Sequence, residues 1–266
     1  MIENPKILFL AGTGDAKNLY EYIQPFIISQ NMDLLVSVVS ENAAKEYSLK
    51  KIPVRSGAMN TDQMKNLIND KKISVIIDAT HPFAAEVSQN AMIAAEESFK
   101  RYIRYERPDF IPENIFLAGD HKEAVQLVMV LQKKMNQNIT VMLSTGAKSL
   151  EFYSQQFSGF SSIKLVARLL PSVENLELCA RCNIPQSDII AMQGPFSKEL
   201  NREIFLKYNV DVLISKESGS AGSTEEKILA AGELGIKTIL INRPEIKYKN
   251  ICRSFEEVKN KLLEIL

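Results

Sequence analysis

The 266-residue chain has no tryptophan, only two histidines and only three cysteines. So few cysteines exclude a disulfide-stapled scaffold. Cys179 and Cys182 share a C-x-x-C spacing, but no second pair follows, and "SVENLELCARCNI" has helical apolar spacing with Cys179 on its apolar side. They read as ordinary helix residues. With His81 and His121 far apart, no metal centre is expected either. Neither sign of charge prevails, since 32 lysines and arginines balance 32 aspartates and glutamates. Bulk charge therefore does not point to nucleic acid or to a membrane surface. No apolar run reaches the length of a membrane span, and the opening "MIENPKILFLAGTGDAK" is too short for a signal segment. A cytoplasmic protein is expected.

What the sequence does contain is alternation. Apolar runs trade places with helical patterns from end to end, the mark of parallel α/β units. In the first half, strands are expected at 6–12, 33–40, near "KIPVRS", at 73–80 and at 101–106. A helix through "DAKNLYEYIQPFI" meets Pro25 at its end or at a kink, Thr61 is an N-cap candidate, and "FAAEVSQNAMIAAEESF" is strongly helical. "RPDFIPEN" then breaks the pattern with two prolines and marks a domain boundary. Beyond it strands recur at 115–119, 139–147, in "SIKLVARLLPS", and at 188–196, 210–219 and 236–244, with a last helix near "SFEEVKNKLLEIL". The expectation is an α/β protein of two Rossmann-like domains, 1–108 and 109–266, their parallel sheets facing a shared cleft. Ligands would then bind outside the carboxyl ends of the strands.

The strand-end turns carry the chemistry. "LAGTGDAKNL" places Gly12, Thr13 and Gly14 between a strand and a helix, where backbone N–H groups and the helix N-terminus suit a phosphate. The third glycine of G-x-G-x-x-G is replaced by Lys17, so a tight turn without a ligand is the alternative. After the second strand, "SENAAKEY" offers Ser40, Glu41 and Lys45, a mixture that does not decide between NADH and NADPH. Tyr47 and Lys51 have the spacing of a short-chain dehydrogenase pair but come too early in the chain for that role. "STGAKSL" lacks the first glycine of a nucleotide P-loop, Val141 standing there. It leaves a turn with Lys148 near a helix start, suited to a carboxylate or phosphate. "MQGPFS" and "SKESGSAGS" are turns of the same kind. Asp78, Thr80 and His81 end a central strand, and Pro82 is placed to begin the next helix. The blander alternative has Asp78 or Thr80 capping that helix while His81 packs locally. His121, beside a helix start after "AGD", reads as solvated.

Together "LAGTGDAKNL", "DATHPFAAEVSQNA", "RYERPDF", "STGAKSL", "ARLLPS", "IIAMQGPFSKELN" and "DVLISKESGSAGSTEEKILAA" resemble the precorrin-6A reductase family of corrin-ring biosynthesis, in order and over nearly the whole chain. The resemblance implies hydride transfer from NADH or NADPH to one macrocycle double bond of precorrin-6A, giving precorrin-6B. Where the ring carries cobalt, the metal belongs to the substrate. Gly12, Thr13, Gly14 and Asp15 match the cofactor turn, with Ser40 and Thr80 as further cofactor contacts, and Asp78 and His81 match a block near the nicotinamide or ring. Ser144, Thr145 and Gly146, then Gln193 and Gly194, then Lys216, Glu217, Ser218 and Gly219 match substrate segments. The substrate bears many carboxylates, so Lys148, Arg168, Lys216 and Arg243 are candidates to anchor it. The proton donor is His81, solvent, or a carboxylic acid such as Asp78 or Glu217. One departure is the absence of a glycine–arginine pair after the second strand. A tetrapyrrole methyltransferase and a non-catalytic dinucleotide-binding redox sensor are the competing classes. The sensor lacks any basic recognition helix. The expected partner is a small tetrapyrrole, with no nucleic acid and no membrane; oligomeric state is not readable.

Overall fold

A computed structural model describes residues 4–108, 112, 115–217 and 224–265. From the amino end the elements run β1 (Lys6–Leu10), α1 (Gly14–Ser29), β2 (Asp33–Ser37), α2 (Glu41–Leu49), β3 (Val54–Arg55), α3 (Thr61–Asp70), β4 (Val75–Asp78), α4 (Ala85–Glu97) and β5 (Arg101–Tyr105). There follow β6 (Phe116–Ala118), α5 (His121–Met135), β7 (Ile139–Ser144), α6 (Leu150–Phe157), β8 (Ile163–Leu169), α7 (Val173–Arg181) and β9 (Ile189–Ala191). The chain closes with α8 (Lys198–Lys207), β10 (Val212–Lys216), α9 (Thr224–Glu233), β11 (Lys237–Ile241), β12 (Ile251–Cys252) and α10 (Phe255–Leu263).

Two compact units result, Met1–Pro108 with Pro244–Leu266, and Asp109–Arg243. Each holds a six-stranded parallel sheet, in the orders β12-β5-β4-β1-β2-β3 and β6-β11-β10-β7-β8-β9. The order reverses between β1 and β4 in the first sheet and between β7 and β10 in the second. In open α/β sheets, ligands bind outside the carboxyl ends of strands at such reversals.

The first strand shows why its sequence is continuously apolar. Ile7 and Phe9 pack with Leu19 and Ile23 of α1, while Leu8 and Leu10 pack with Met64 and Ile68 of α3 and Ala91 and Ala94 of α4. Side chains alternate across the sheet, and both faces are covered. All four residues of β4 are buried for the same reason.

Several local expectations change. Helix α1 continues through Pro25 to Ser29; so near the helix end, the missing N–H leaves only the Glu21 carbonyl without its helical partner. Asn60, not Thr61, caps α3. Its side chain accepts from the Gln63 N–H at 2.9 Å and the Gln63 side chain returns to the Asn60 N–H at 3.0 Å, a capping box. Helix α4 starts at Ala85 rather than Pro82, and no side chain caps it.

Residues 244–266 were expected in the second domain but complete the first sheet. Ile251 and Cys252 pair in parallel with Arg104 and Tyr105 of β5. Val258 and Leu262 of α10 enter the core that holds Leu19 and Ile23. Burial there pushes the Cys252 thiol up to about 11. Cys179 and Cys182 are free thiols buried in α7 and at its end. No helix among the described residues is long and apolar enough to cross a membrane.

Candidate active site

At the reversal of the first sheet, Gly12 turns the chain with φ +137°, a conformation L side chains rarely adopt, and the space a Cβ would enter is open. Thr13 follows in extended conformation as the N-cap of α1, its hydroxyl oxygen accepting the Ala16 N–H at 3.0 Å. Backbone donors and the positive end of α1 therefore adjoin open space, as an anion requires. Asp15 in the same turn is buried against Arg107, and the ion pair cancels the carboxylate where an anion would approach. Ser40 caps α2, accepting the Ala43 N–H at 3.2 Å. Gly12, Ser40, Thr80 and His81 line one cavity of about 220 Å³ with an apolar wall that includes Met59 and Met64. These residues fit the pyrophosphate and ribose of a dinucleotide.

Below that cavity lies a closed polar cluster. Asp78 is fully buried, with Arg104 Nη1 donating to Oδ1 at 2.9 Å and the Tyr102 hydroxyl donating to Oδ2 at 2.7 Å. The Thr80 N–H and hydroxyl donate to Oδ1 at 3.0 and 2.6 Å. Burial alone would raise the Asp78 carboxyl, but Arg104 and the donors outweigh it and hold the group below the ordinary carboxylate range. Asp78 was expected as a candidate proton donor; its carboxyl is instead held ionised, bonded to Thr80 and Arg104. Nor do Asp78 and Thr80 cap α4, since their side chains are turned to each other. His81 Nδ1 accepts the Phe83 N–H at 3.2 Å. That bond uses Nδ1 as an acceptor, which leaves Nε2 to carry the ring hydrogen.

The second sheet's reversal is built differently. Ser144 ends β7, and Thr145 and Ser149 hydroxyl oxygens lie 2.6 Å apart across the turn that Gly146 makes at φ +83°. The turn leaves Lys148 exposed. Lys148 and Lys216, at the end of β10, line a cavity of about 300 Å³ together with His121. Burial, and then the Lys148 charge, push the Lys216 ammonium down. His121 is not solvated as expected. It is half-buried, its Nδ1 lies 2.8 Å from the Tyr153 hydroxyl, and the two rings meet edge to face. Burial and then Lys216 lower its proton affinity.

Arg168, at the end of β8, is buried with its guanidinium 3.8 Å over the Phe196 ring and Nη1 donating to Asn201 Oδ1 at 2.7 Å. Burial pushes it down to about 10. Glu217 and Arg243 form a buried ion pair with each other. Gln193 and Gly194 are exposed beyond β9. Ser218 and Gly219 lie outside the described residues.

The sequence matches the precorrin-6x reductase CbiJ/CobK family over residues 6–262. The chain belongs to this family. It is 39% identical over 97% of its length to the cobalt-precorrin-6A reductase of Priestia megaterium, of which it covers 98%. It is 36% identical to that of Methanococcus maripaludis, over 96% of this chain and 97% of the relative. The solved structure of a CobK precorrin-6A reductase superimposes with a TM-score of 0.77 at 24% identity, covering 98% of this chain and 97% of that one, and shows the same fold. By this membership the protein is a nicotinamide-dependent oxidoreductase of cobalamin biosynthesis. The methyltransferase and the sensor are set aside.

Three polar residues of the reductase escaped the sequence reading. Arg104 is wholly buried beside Asp78, and the signal was the period-2 run Tyr102, Arg104, Glu106 entering a central strand. Arg55 comes from β3, beside the end of β2. Its fork is spent on Ser37 Oγ at 2.9 Å and on the Gly57 and Ser56 carbonyls at 2.8 and 2.6 Å. Lys227 of α9 is buried, its Nζ donating to Ser215 Oγ at 2.8 Å. It shares the i, i+3, i+4 stripe of Ala230 and Ala231, which marks a core-facing position. Burial, then Arg168, push its ammonium down to about 7.

Proposed function

We propose that this reductase converts cobalt-precorrin-6A into cobalt-precorrin-6B with a reduced nicotinamide dinucleotide, the first unit holding the cofactor and the second the ring's carboxylates. The open turn at Gly12, at the head of capped helix α1, carries the reading. The cobalt-loaded form is favoured by the relatives of Priestia megaterium and Methanococcus maripaludis, both cobalt-precorrin-6A reductases. The bound nicotinamide supplies the hydride, and the protein's share is to orient it and keep water away. Backbone N–H groups at Gly12 to Gly14 hold the pyrophosphate and Ser40 meets the ribose. Met59 and Met64 give the cavity its dry wall.

His81 contributes a hydrogen bond rather than a proton. A neutral imidazole with hydrogen on Nε2 is a donor, but losing that hydrogen would leave an anion. The proton for the ring carbon comes from water. His81→Gln, which keeps an N–H near the Nε2 position, is expected to retain most of kcat. If the imidazole were the acid, glutamine would lose on the order of 10²-fold or more.

The test of the whole reading is an anaerobic assay with cobalt-precorrin-6A and with the metal-free ring, each with NADH and NADPH. Gain of two hydrogens in the ring, matched to nicotinamide oxidation, is the expected result. Cofactor binding with no turnover of either ring overturns it.

A further inference from the structure

We propose that His121, Lys148 and Lys216 form a subsite for one carboxylate of the ring, with Tyr153 as the residue that sets which face of the imidazole donates. The proposal rests on the reductase reading and extends it to a residue outside the family-like turns.

The argument begins in the core. Tyr153 is wholly buried, and His121 Nδ1 is the one hydrogen-bond partner of its hydroxyl among the described residues. Burial raises the phenol's pKa, so the hydroxyl keeps its hydrogen. That hydrogen must be donated to Nδ1, because otherwise it would be buried without an acceptor. The imidazole hydrogen is thereby placed on Nε2. Phe152 and Tyr153 pack against the ring and hold its plane.

The cavity that His121 lines also receives Lys122, Lys148 and Lys216. Its one acid among the described residues, Asp120, already serves as the N-cap of α5, accepting the Glu123 N–H at 2.8 Å. The cavity therefore offers donors to an anion. A neutral N–H in a cavity that ammonium groups also line adds a hydrogen bond without adding a further like charge. At about 300 Å³ the cavity has room for an acidic side arm and its methylene stem. That is the lower end of small-ligand pockets, so a whole macrocycle is too large. The occupant is a carboxylate of the substrate rather than a phosphate of the cofactor.

Steady-state kinetics of His121→Phe, His121→Gln and Tyr153→Phe test it. His121→Phe is expected to raise the KM for the ring roughly tenfold, the loss of one hydrogen bond to a charged group. The kcat and the nicotinamide KM should stay near wild type. His121→Gln, with an N–H near the Nε2 position, should recover most of the loss, and Tyr153→Phe should fall between. An unchanged ring KM in His121→Phe overturns the proposal, and so does a rise in the nicotinamide KM instead.

A second measurement uses the wild-type chain, whose two histidines are easily told apart by nitrogen-15 NMR. His121 should show hydrogen on Nε2, and its signals should move on adding uroporphyrin, an octacarboxylic tetrapyrrole, but not on adding NADH or NADPH. If the wild type reduces neither ring, the reductase reading fails while the uroporphyrin titration still judges the subsite. No movement with uroporphyrin overturns it.

Discussion

At the reversal of the first sheet, Asp78 meets Arg104 and Asp15 meets Arg107, so each buried charge has its opposite within reach. At the reversal of the second, Lys148 and Lys216 share a cavity. Deeper in that unit Arg168 and Lys227 are buried with no ion-pair partner among the described residues. A reversal of strand order thus serves two electrostatic designs. The first unit settles its buried charges internally and leaves an open glycine turn at its strand ends, an arrangement that would suit the proposed dinucleotide. The second buries Arg168 and Lys227 without a carboxylate partner among the described residues, which costs folding free energy.

Breaking the internal balance of the first unit should have the largest effect. Arg104→Met leaves the Asp78 carboxylate buried without its cation, an expected loss of about 3–5 kcal/mol in urea unfolding. Adding Asp78→Asn to that variant should restore part of the loss, because the buried charge is gone. A single-variant loss below about 1 kcal/mol would mean that the cluster is not what balances this unit.

Gly12→Ala tests the backbone side of the contrast. It forces a side chain into φ +137°, a strain of about 1–3 kcal/mol that the turn relieves by moving away from its ligand. The nicotinamide KM should rise while the ring KM holds. The reverse pattern would exchange the roles assigned to the units.

Lys227→Met sharpens the other side. The ammonium is pushed from 10.5 to about 7 in the folded chain, so between those values the unfolded chain holds one more proton. Stability from this residue therefore rises as pH climbs from about 7 toward 10, by at most about 1.4 kcal/mol per unit. The wild type should close on Lys227→Met over that interval in urea midpoints. Parallel curves would show that the lysine does not titrate there.

What was legible in the sequence was local. Helix α5 begins at His121, where a helix start was read after "AGD", because both its ends carry their own signals, Asp120 as cap and Asn136 left-handed at φ 50°. The turns at Gly12 and Gly146 were found because glycine and a following helix start are adjacent in sequence. Contacts set by register were hidden. Asp78 faces Arg104 only because β4 and β5 pair in that register, and His121 finds Tyr153 only once α6 packs. Strand β12, at two residues, is too short to show any period. Lys227 drew no reading, because the stripe it shares is built from alanines, which mark a core face only weakly.

The return of residues 244–266 to the first sheet also sets an order in time. The Arg104 N–H is satisfied by the Asn250 carbonyl at 2.8 Å and the Glu106 N–H by the Cys252 carbonyl at 3.0 Å. On the ribosome, the stretch up to Pro108 emerges with that edge of β5 unpaired and without the apolar side of α10, an edge open to unwanted pairing. The second unit is one uninterrupted stretch, Asp109–Arg243. The unit that synthesis begins first is thus completed by a stretch made only after the second unit.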